Sequence, residues 1–266
     1  MTETYELFAI KYAHHDRDAT ANFIDDCDPH EGNMPLEYYV WIAINENRTV
    51  LIDTGFNAKA AKERGRELIR CPAESLKLVG ADANEIEDII ITHLHYDHVG
   101  NFDLFPKAKF HLQDKEMQFA TGRYMRHKTL RHSFDIEHVT GMVREVYKER
   151  VIFHDGDTDL FPGIKLHFIG GHTMGMQSVT VETKRGRVVV ASDASHLYHN
   201  MWDENPFRTV FNIGDMMEGH DKLRVLAGDD QDLIVPGHDP QVLDFYPAPS
   251  PDLEGIVVRL DVPPKK

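Results

Sequence analysis

The sequence predicts an α/β protein folded as one domain over residues 1–266. Short apolar runs of strand length recur along the chain between stretches of helical composition, and turn-forming residues bound many of them. No internal repeat, low-complexity tract or linker marks off a second unit. A chain of 266 residues is long enough to bury a large core in one piece.

In chain order, residues 7–12 read as a first strand, followed by a polar stretch over 13–35 carrying Phe23, Ile24 and Met34. Connections of that length are associated with a lid, a dimer clasp or disorder. Residues 38–44 and 49–52 form a hairpin around Asn45-Glu46-Asn47-Arg48, 58–69 have helical composition, and 86–91 and 109–112 are strands. A mostly helical insertion is expected over 114–147. Within it Phe119, Tyr124, Met125 and Phe134 either pack on their own sheet or line an acyl or aromatic pocket. Strands follow near 151–153, 164–169, 178–182 and 187–191, then an amphipathic helix at 216–226 and a last strand at 233–235.

The chemistry is concentrated at strand exits. Directly after Ile89-Ile90-Ile91 comes Thr-His-Leu-His-Tyr-Asp-His, which places His93, His95, Asp97 and His98 within six positions. Imidazole and carboxylate are the donors that zinc and similar divalent ions take. His93 and His95, two apart on an extended segment, face the same side and can share one ion, while Asp97 and His98 lie beyond the turn and can reach another. Three further residues of ligand type follow other apolar runs: His172 in Gly170-Gly171-His172-Thr173, Asp193 in Ala191-Ser192-Asp193, and His238 in Pro236-Gly237-His238-Asp239.

These motifs resemble the metallo-β-lactamase superfamily, whose His-x-His-x-Asp-His signature stands here as His93 to His98, with Leu51-Ile52-Asp53-Thr54-Gly55 similar to its early Asp-x-Gly turn. The resemblance runs from about residue 36 to 239 and implies an αββα sandwich. It also implies two divalent metal ions, zinc first, with manganese, iron and cobalt also compatible with the donors. His93, His95 and His172 would hold one ion, Asp97, His98 and His238 the other, and Asp193 would bridge both. Asp53 would orient a ligand from behind. A homodimer is a further implication.

Two ions sharing a water lower its pKa enough to supply hydroxide at neutral pH, and Asp97 beside it is the expected proton shuttle. Among the family's branches, glyoxalase II-like thioesterases carry a large C-terminal extension, whereas only residues 240–266 follow the last ligand here. Flavodiiron proteins replace the second histidine of the motif with glutamate, and this chain keeps His95. Antibiotic-hydrolysing relatives are exported, and many use a cysteine near the second metal. The closest resemblance is to N-acyl homoserine lactonase-like proteins and relatives acting on other small lactones, which makes quorum quenching one expected role.

Those lactonases place a tyrosine three residues after the bridging aspartate to contact the substrate carbonyl. This chain has His196 there and Tyr198 two further on. On a helix two residues turn the side chain by about 200°, so Tyr198 does not simply replace it. His196 then takes the carbonyl-contacting role, or the lactone is of another class. The expected activity is hydrolysis of a small lactone, with acyl homoserine lactone as one option. The alternatives are hydrolysis of another ester, amide or thioester, a mononuclear-iron persulfide dioxygenase, and a non-catalytic binding module.

Lys+Arg 29 against Asp+Glu 44 gives a net charge of −15, which argues against a nucleic-acid partner. The first residues, Met1-Thr2-Glu3-Thr4-Tyr5-Glu6, have neither a basic nor an apolar leader segment, and no stretch approaches a membrane span, so a cytoplasmic location is expected. Cys27 and Cys71 read as a reduced pair, with no thiolate needed among the ligands. For the histidines outside the motifs, among them His14, His15, His30, His127, His132 and His138, surface positions or ordinary hydrogen bonding are expected.

Overall fold

The computed structural model describes residues 3–25, 32–228 and 230–265. Cys27 and His30 lie outside the described residues, and Cys71 is a free, half-buried thiol.

Two sheets face each other. The first is built from β1 (Glu6–His15), β2 (Leu36–Ile44), β3 (Thr49–Ile52), β4 (Glu67–Leu68), β5 (Asp88–Ile90), β6 (Lys109–Gln113), β7 (Val151–His154) and β13 (Val257–Arg259). Its order is β13-β1-β2-β3-β5-β6-β7, with β4 paired to the end of β1. The second sheet runs β12-β11-β10-β9-β8, from Ile234–Pro236, Gly186–Ser192, Gln177–Thr183, Ile164–Phe168 and Thr158–Phe161 respectively. β3, β5, β6 and β7 are parallel neighbours, as are β11 and β12, and the other pairings are antiparallel.

The sequence of β2, LEYYVWIAI, shows why the sheets are sandwiched: all but its last residue are buried, as a strand covered on both faces requires. Tyr39 and Trp41 point into the space between the sheets, against Val179, Val181, Val188 and Val190. Val40 and Ile42 point the other way, into a core shared with Phe56, Phe110, Val139 and Met142. That outer core is covered by α1 (Ala58–Arg64), α4 (Asp114–Thr121) and α6 (Ile136–Tyr147). On the far side α8 (Ile213–Leu226) lays Leu223 against Val189 and Ala191. The expected αββα layering is therefore the observed one. Among the described residues no helix is long and apolar enough to cross a membrane.

The sequence-based helix at 58–69 needs correction. α1 stops at Arg64 because Gly65 adopts φ 64°, and its N–H closes the turn on the Ala61 carbonyl. Glu67 and Leu68 then pair with His14 and Ala13 as β4. The described part of the 13–35 stretch holds structure of its own: β1 continues to His15, Asp18 bridges to Asn33, and Phe23 is buried. Strands β8 and β13 and the short helices α2 (Pro72–Ser75), α7 (Tyr198–Trp202) and α9 (Gln241–Phe245) were not expected from the sequence.

Candidate metal centre

Parallel strands that end side by side deliver their next residues to one place. β3 hands over Asp53, β5 the His93–His98 segment, β11 Asp193 and β12 His238, while His172 follows β9. The extended chain after β5 turns at His95 into the single-turn helix α3 (Tyr96–Val99), which brings Asp97 and His98 back toward His93. The seven side chains meet as two groups whose donor atoms lie within 4.8 Å of one another: His93, His95, His172 and Asp193, and Asp97, His98 and His238.

Asp193 stands between them. Its Oδ2 lies 3.2 Å from His172 Nε2 and 3.7 Å from His93 Nε2. Its Oδ1 lies 3.0 Å from His238 Nε2 and 3.3 Å from His98 Nε2. Asp97 Oδ2 is 3.9 Å from both His98 and His238. The carboxylate is aimed by a register shift between Val190 and Ser192 and by Ser192 at φ 48°, a left-handed conformation that a serine adopts only when its surroundings hold it there.

The rings are held from behind. His98 Nδ1 donates to Asp53 at 2.7 Å, His172 Nδ1 to the Thr209 carbonyl at 2.7 Å and His238 Nδ1 to the Glu37 carbonyl at 2.9 Å. In each ring this leaves the Nε2 lone pair facing the centre. Asp53 is fully buried at φ 61° and accepts from the Thr92 N–H and hydroxyl, both at 2.8 Å, so one carboxylate fixes both the strand exit and a ring.

The residues fit a pair of divalent ions. His93 Nε2, His98 Nε2 and Asp193 Oδ1 are buried without a hydrogen-bond partner, a state that folded proteins rarely leave unexplained. His172 Nε2 and His95 Nδ1 approach to 2.9 Å, as two donors to a common cation do. Burial and the neighbouring imidazoles hold His93 and His95 well below the usual histidine range, which keeps them in the neutral, ligating form. Burial alone would raise the Asp193 carboxyl, but His196, His98 and His238 outweigh it and hold the group well below its usual value.

His196 belongs to this constellation. Its Nε2 lies 3.0 Å from Asp193 Oδ2, its ring stacks on Phe207 at 3.7 Å, and burial lowers its pKa to about 3 against the pull of Asp193. Tyr198 does not. It is the first residue of α7, stacked on Trp202 at 5.1 Å in the core between the sheets, and it lines no part of the cavity over the metal centre. No helical rotation relates it to His196, because α7 begins only at Tyr198 and Leu197 between them is extended, at φ −127° and ψ 154°.

Sequence reading missed Glu116. This carboxylate of α4 is fully buried and accepts from Leu94 N (2.9 Å), Thr173 Oγ1 (2.6 Å) and Gly175 N (3.0 Å), locking the two metal-binding loops together. No motif marks it, because its partners are distant in sequence and two of them are backbone amides. Beside the centre opens a cavity of about 460 Å³ whose wall includes His95, His172, Phe119 and Phe211. Of the expected aromatic lining, Phe119 stands in this wall and Phe134 packs its ring on His95 at 4.6 Å.

The chain is similar to several known proteins. N-acyl homoserine lactonase AiiA of Bacillus thuringiensis subsp. kurstaki is 27% identical over 224 residues, 78% of this chain and 82% of that protein. N-acyl homoserine lactonase AttM of Azorhizobium caulinodans is 29% identical over 184 residues, 66% of each. The fold superposes with a TM-score of 0.76, at 23% identity over 92% of this chain and 96% of the other, on an N-acyl homoserine lactone hydrolase solved with N-hexanoyl-L-homoserine at its catalytic metal centre. It also superposes, with a TM-score of 0.69 at 17% identity over 90% and 88%, on the dizinc quorum-quenching lactonase AidC. The profile of the metallo-beta-lactamase superfamily matches residues 35–238, and the chain belongs to that superfamily.

Proposed function

We propose that this protein is a dinuclear metal-dependent hydrolase that opens the ester bond of a small lactone. The observation that carries the proposal is Asp193, whose two carboxylate oxygens face two separate sets of imidazoles. His93, His95 and His172 would hold one ion and Asp97, His98 and His238 the other, with Asp193 facing both sets. When bound, the ions acidify a shared water and polarise the ester carbonyl.

The chain's own residues do the rest. Asp97, at the cavity floor, accepts the proton released as water adds to the carbonyl and returns it to the alkoxide as the ring opens, leaving a hydroxy acid. His196 stands where the lactonases carry a tyrosine and contacts the carbonyl oxygen. Phe119 and Phe211 bound the space for the remainder of the substrate. The curated relatives named N-acyl homoserine lactonase support a lactone, and an acyl homoserine lactone is one candidate.

Metal content tests the site separately from the substrate. Purified protein is expected to carry two divalent ions per chain, zinc first, and Asp193→Asn to lose both together. One iron per chain with oxygen uptake on a persulfide would replace the hydrolase by a dioxygenase.

A further inference from the structure

The mouth of the metal centre is cationic in a strongly acidic protein. A cavity of about 210 Å³ stands over the site, and among its lining side chains are Arg17, Arg64, Arg66 and Arg208, while the acids there are Asp97 and Asp193. Across the chain acids outnumber Lys and Arg 44 to 29. Among the described residues the acids in that space are the two that belong to the candidate metal centre, so no further carboxylate there matches the guanidinium charge.

Two aromatic columns hold three of these groups, Arg17, Arg64 and Arg66, in place. On one side of the centre Arg64 lies over the Tyr96 ring at 3.9 Å, and Arg66 Nε donates to the Tyr96 hydroxyl at 3.3 Å, next to Asp97 in sequence. On the other side Arg17 lies over Phe207 at 4.9 Å, and Phe207 stacks on His196. Among the described residues Arg66 keeps Nη2, and Arg208 keeps Nη1 and Nη2, free of hydrogen bonds and available for an anion.

Among the described residues, the remaining hydrogen bonds of Arg64, Arg66 and Arg208 go to the carbonyls of His132, Phe134, Arg64 and Phe23 and to the His15 ring, not to carboxylates. Arg208 also faces the neighbouring 460 Å³ cavity, where Lys128 joins Phe119 and Phe211. Clustering cations with no counter-charge is unfavourable unless a ligand supplies it.

We infer that the substrate of this site is an anion: a lactone or ester that carries a carboxylate or phosphate, bound by Arg66 and Arg208 while its ester sits at the metal centre. The inference rests on the hydrolase reading for the ester but not for the anion subsite. A neutral acyl homoserine lactone has no group for these arginines to bind.

The subsite is tested first without catalysis. Metal-stripped protein is titrated calorimetrically with phenylacetate, phenyl phosphate and neutral phenylacetamide. At least one anion is expected to bind at least about tenfold more tightly than the amide, more weakly as salt is raised, and to lose about tenfold in Arg208→Gln and Arg66→Gln. The preferred probe distinguishes carboxylate from phosphate. Arg208 is exposed and, among the described residues, makes one hydrogen bond, to the Phe23 carbonyl, so its variant reports on binding rather than folding. Equal binding of acid and amide, or variants that bind the anion as the parent does, overturns the subsite.

Metal-replete protein is then given γ-butyrolactones carrying a ring carboxylate, a phosphate or a carboxamide. An anionic member is expected to be favoured about tenfold in kcat/KM. Equal turnover of all three overturns the inference. Anion binding without turnover of any lactone leaves the subsite standing and removes the lactonase reading.

Discussion

At the residue scale, the centre is defined by which nitrogen of each ring is committed behind it. His98, His172 and His238 each spend Nδ1 on a carboxylate or carbonyl, so their coordination chemistry is decided one hydrogen bond away from the ions. Asp53→Asn removes the charge that orients His98, and metal affinity is expected to fall about 10- to 100-fold by competition with a chromophoric chelator. An unchanged affinity would make Asp53 a folding residue only. Asp97→Asn protein loaded with both ions is expected to lose about 100-fold or more in turnover, and full activity at full metal content would remove Asp97 from proton transfer.

The seven candidate ligands were legible because their chemistry is rare and each follows an apolar run. His196 was legible only as a departure from a pattern. Glu116 and the four arginines were not legible, because Arg17, Arg66 and Arg208 become neighbours only when the segments bearing them meet around the cavity.

At the element scale, strands buried on both faces announced themselves, while those defined by a partner did not. The apolar composition of β2, β5 and β11 places them in the sandwich without reference to anything else. β4 exists because Glu67 and Leu68 meet the end of β1, and β13 because Val257–Arg259 meets Phe8–Ile10, which are long-range facts. The overrun of α1 came from weighing composition above Gly65. No atom lies within 4 Å of a Cβ built there, so Gly65→Ala tests the left-handed conformation alone and is expected to cost about 1 kcal/mol in urea unfolding. A neutral result would show that the turn relaxes. At Gly175 a Cβ would lie 2.1 Å from the Glu116 backbone N, so Gly175→Ala forces the loop after His172 away from α4 and loosens the Glu116 tie to Leu94 and Thr173. It is expected to reduce both stability and metal content.

At the scale of the whole molecule, fold and metal are coupled, since the unfolded chain has no preformed site. Free metal at 100 times its dissociation constant stabilises by about 2.7 kcal/mol, so chelation is expected to lower the urea midpoint, and identical midpoints would contradict a resident metal. The fold also carries a pH dependence outside the centre. Burial, helped by His111, lowers the His154 pKa to about 4 from the usual 6.5 of a histidine. The folded chain therefore binds less proton there than the unfolded chain between those values, and stability present above about 6.5 is lost as pH falls toward 4. In metal-stripped protein His154→Gln is expected to flatten that slope, and parallel curves would contradict the assignment.

The central claim is metal-dependent opening of a lactone, and proton release reads it directly. Metal-replete and metal-stripped protein are compared on acyl homoserine lactones of several chain lengths, simple γ- and δ-lactones, and their carboxylated counterparts. The account predicts acid release that requires the metal and is fastest with an anionic lactone. Silence across the panel with both ions bound would contradict it and move the activity to linear esters, amides or thioesters.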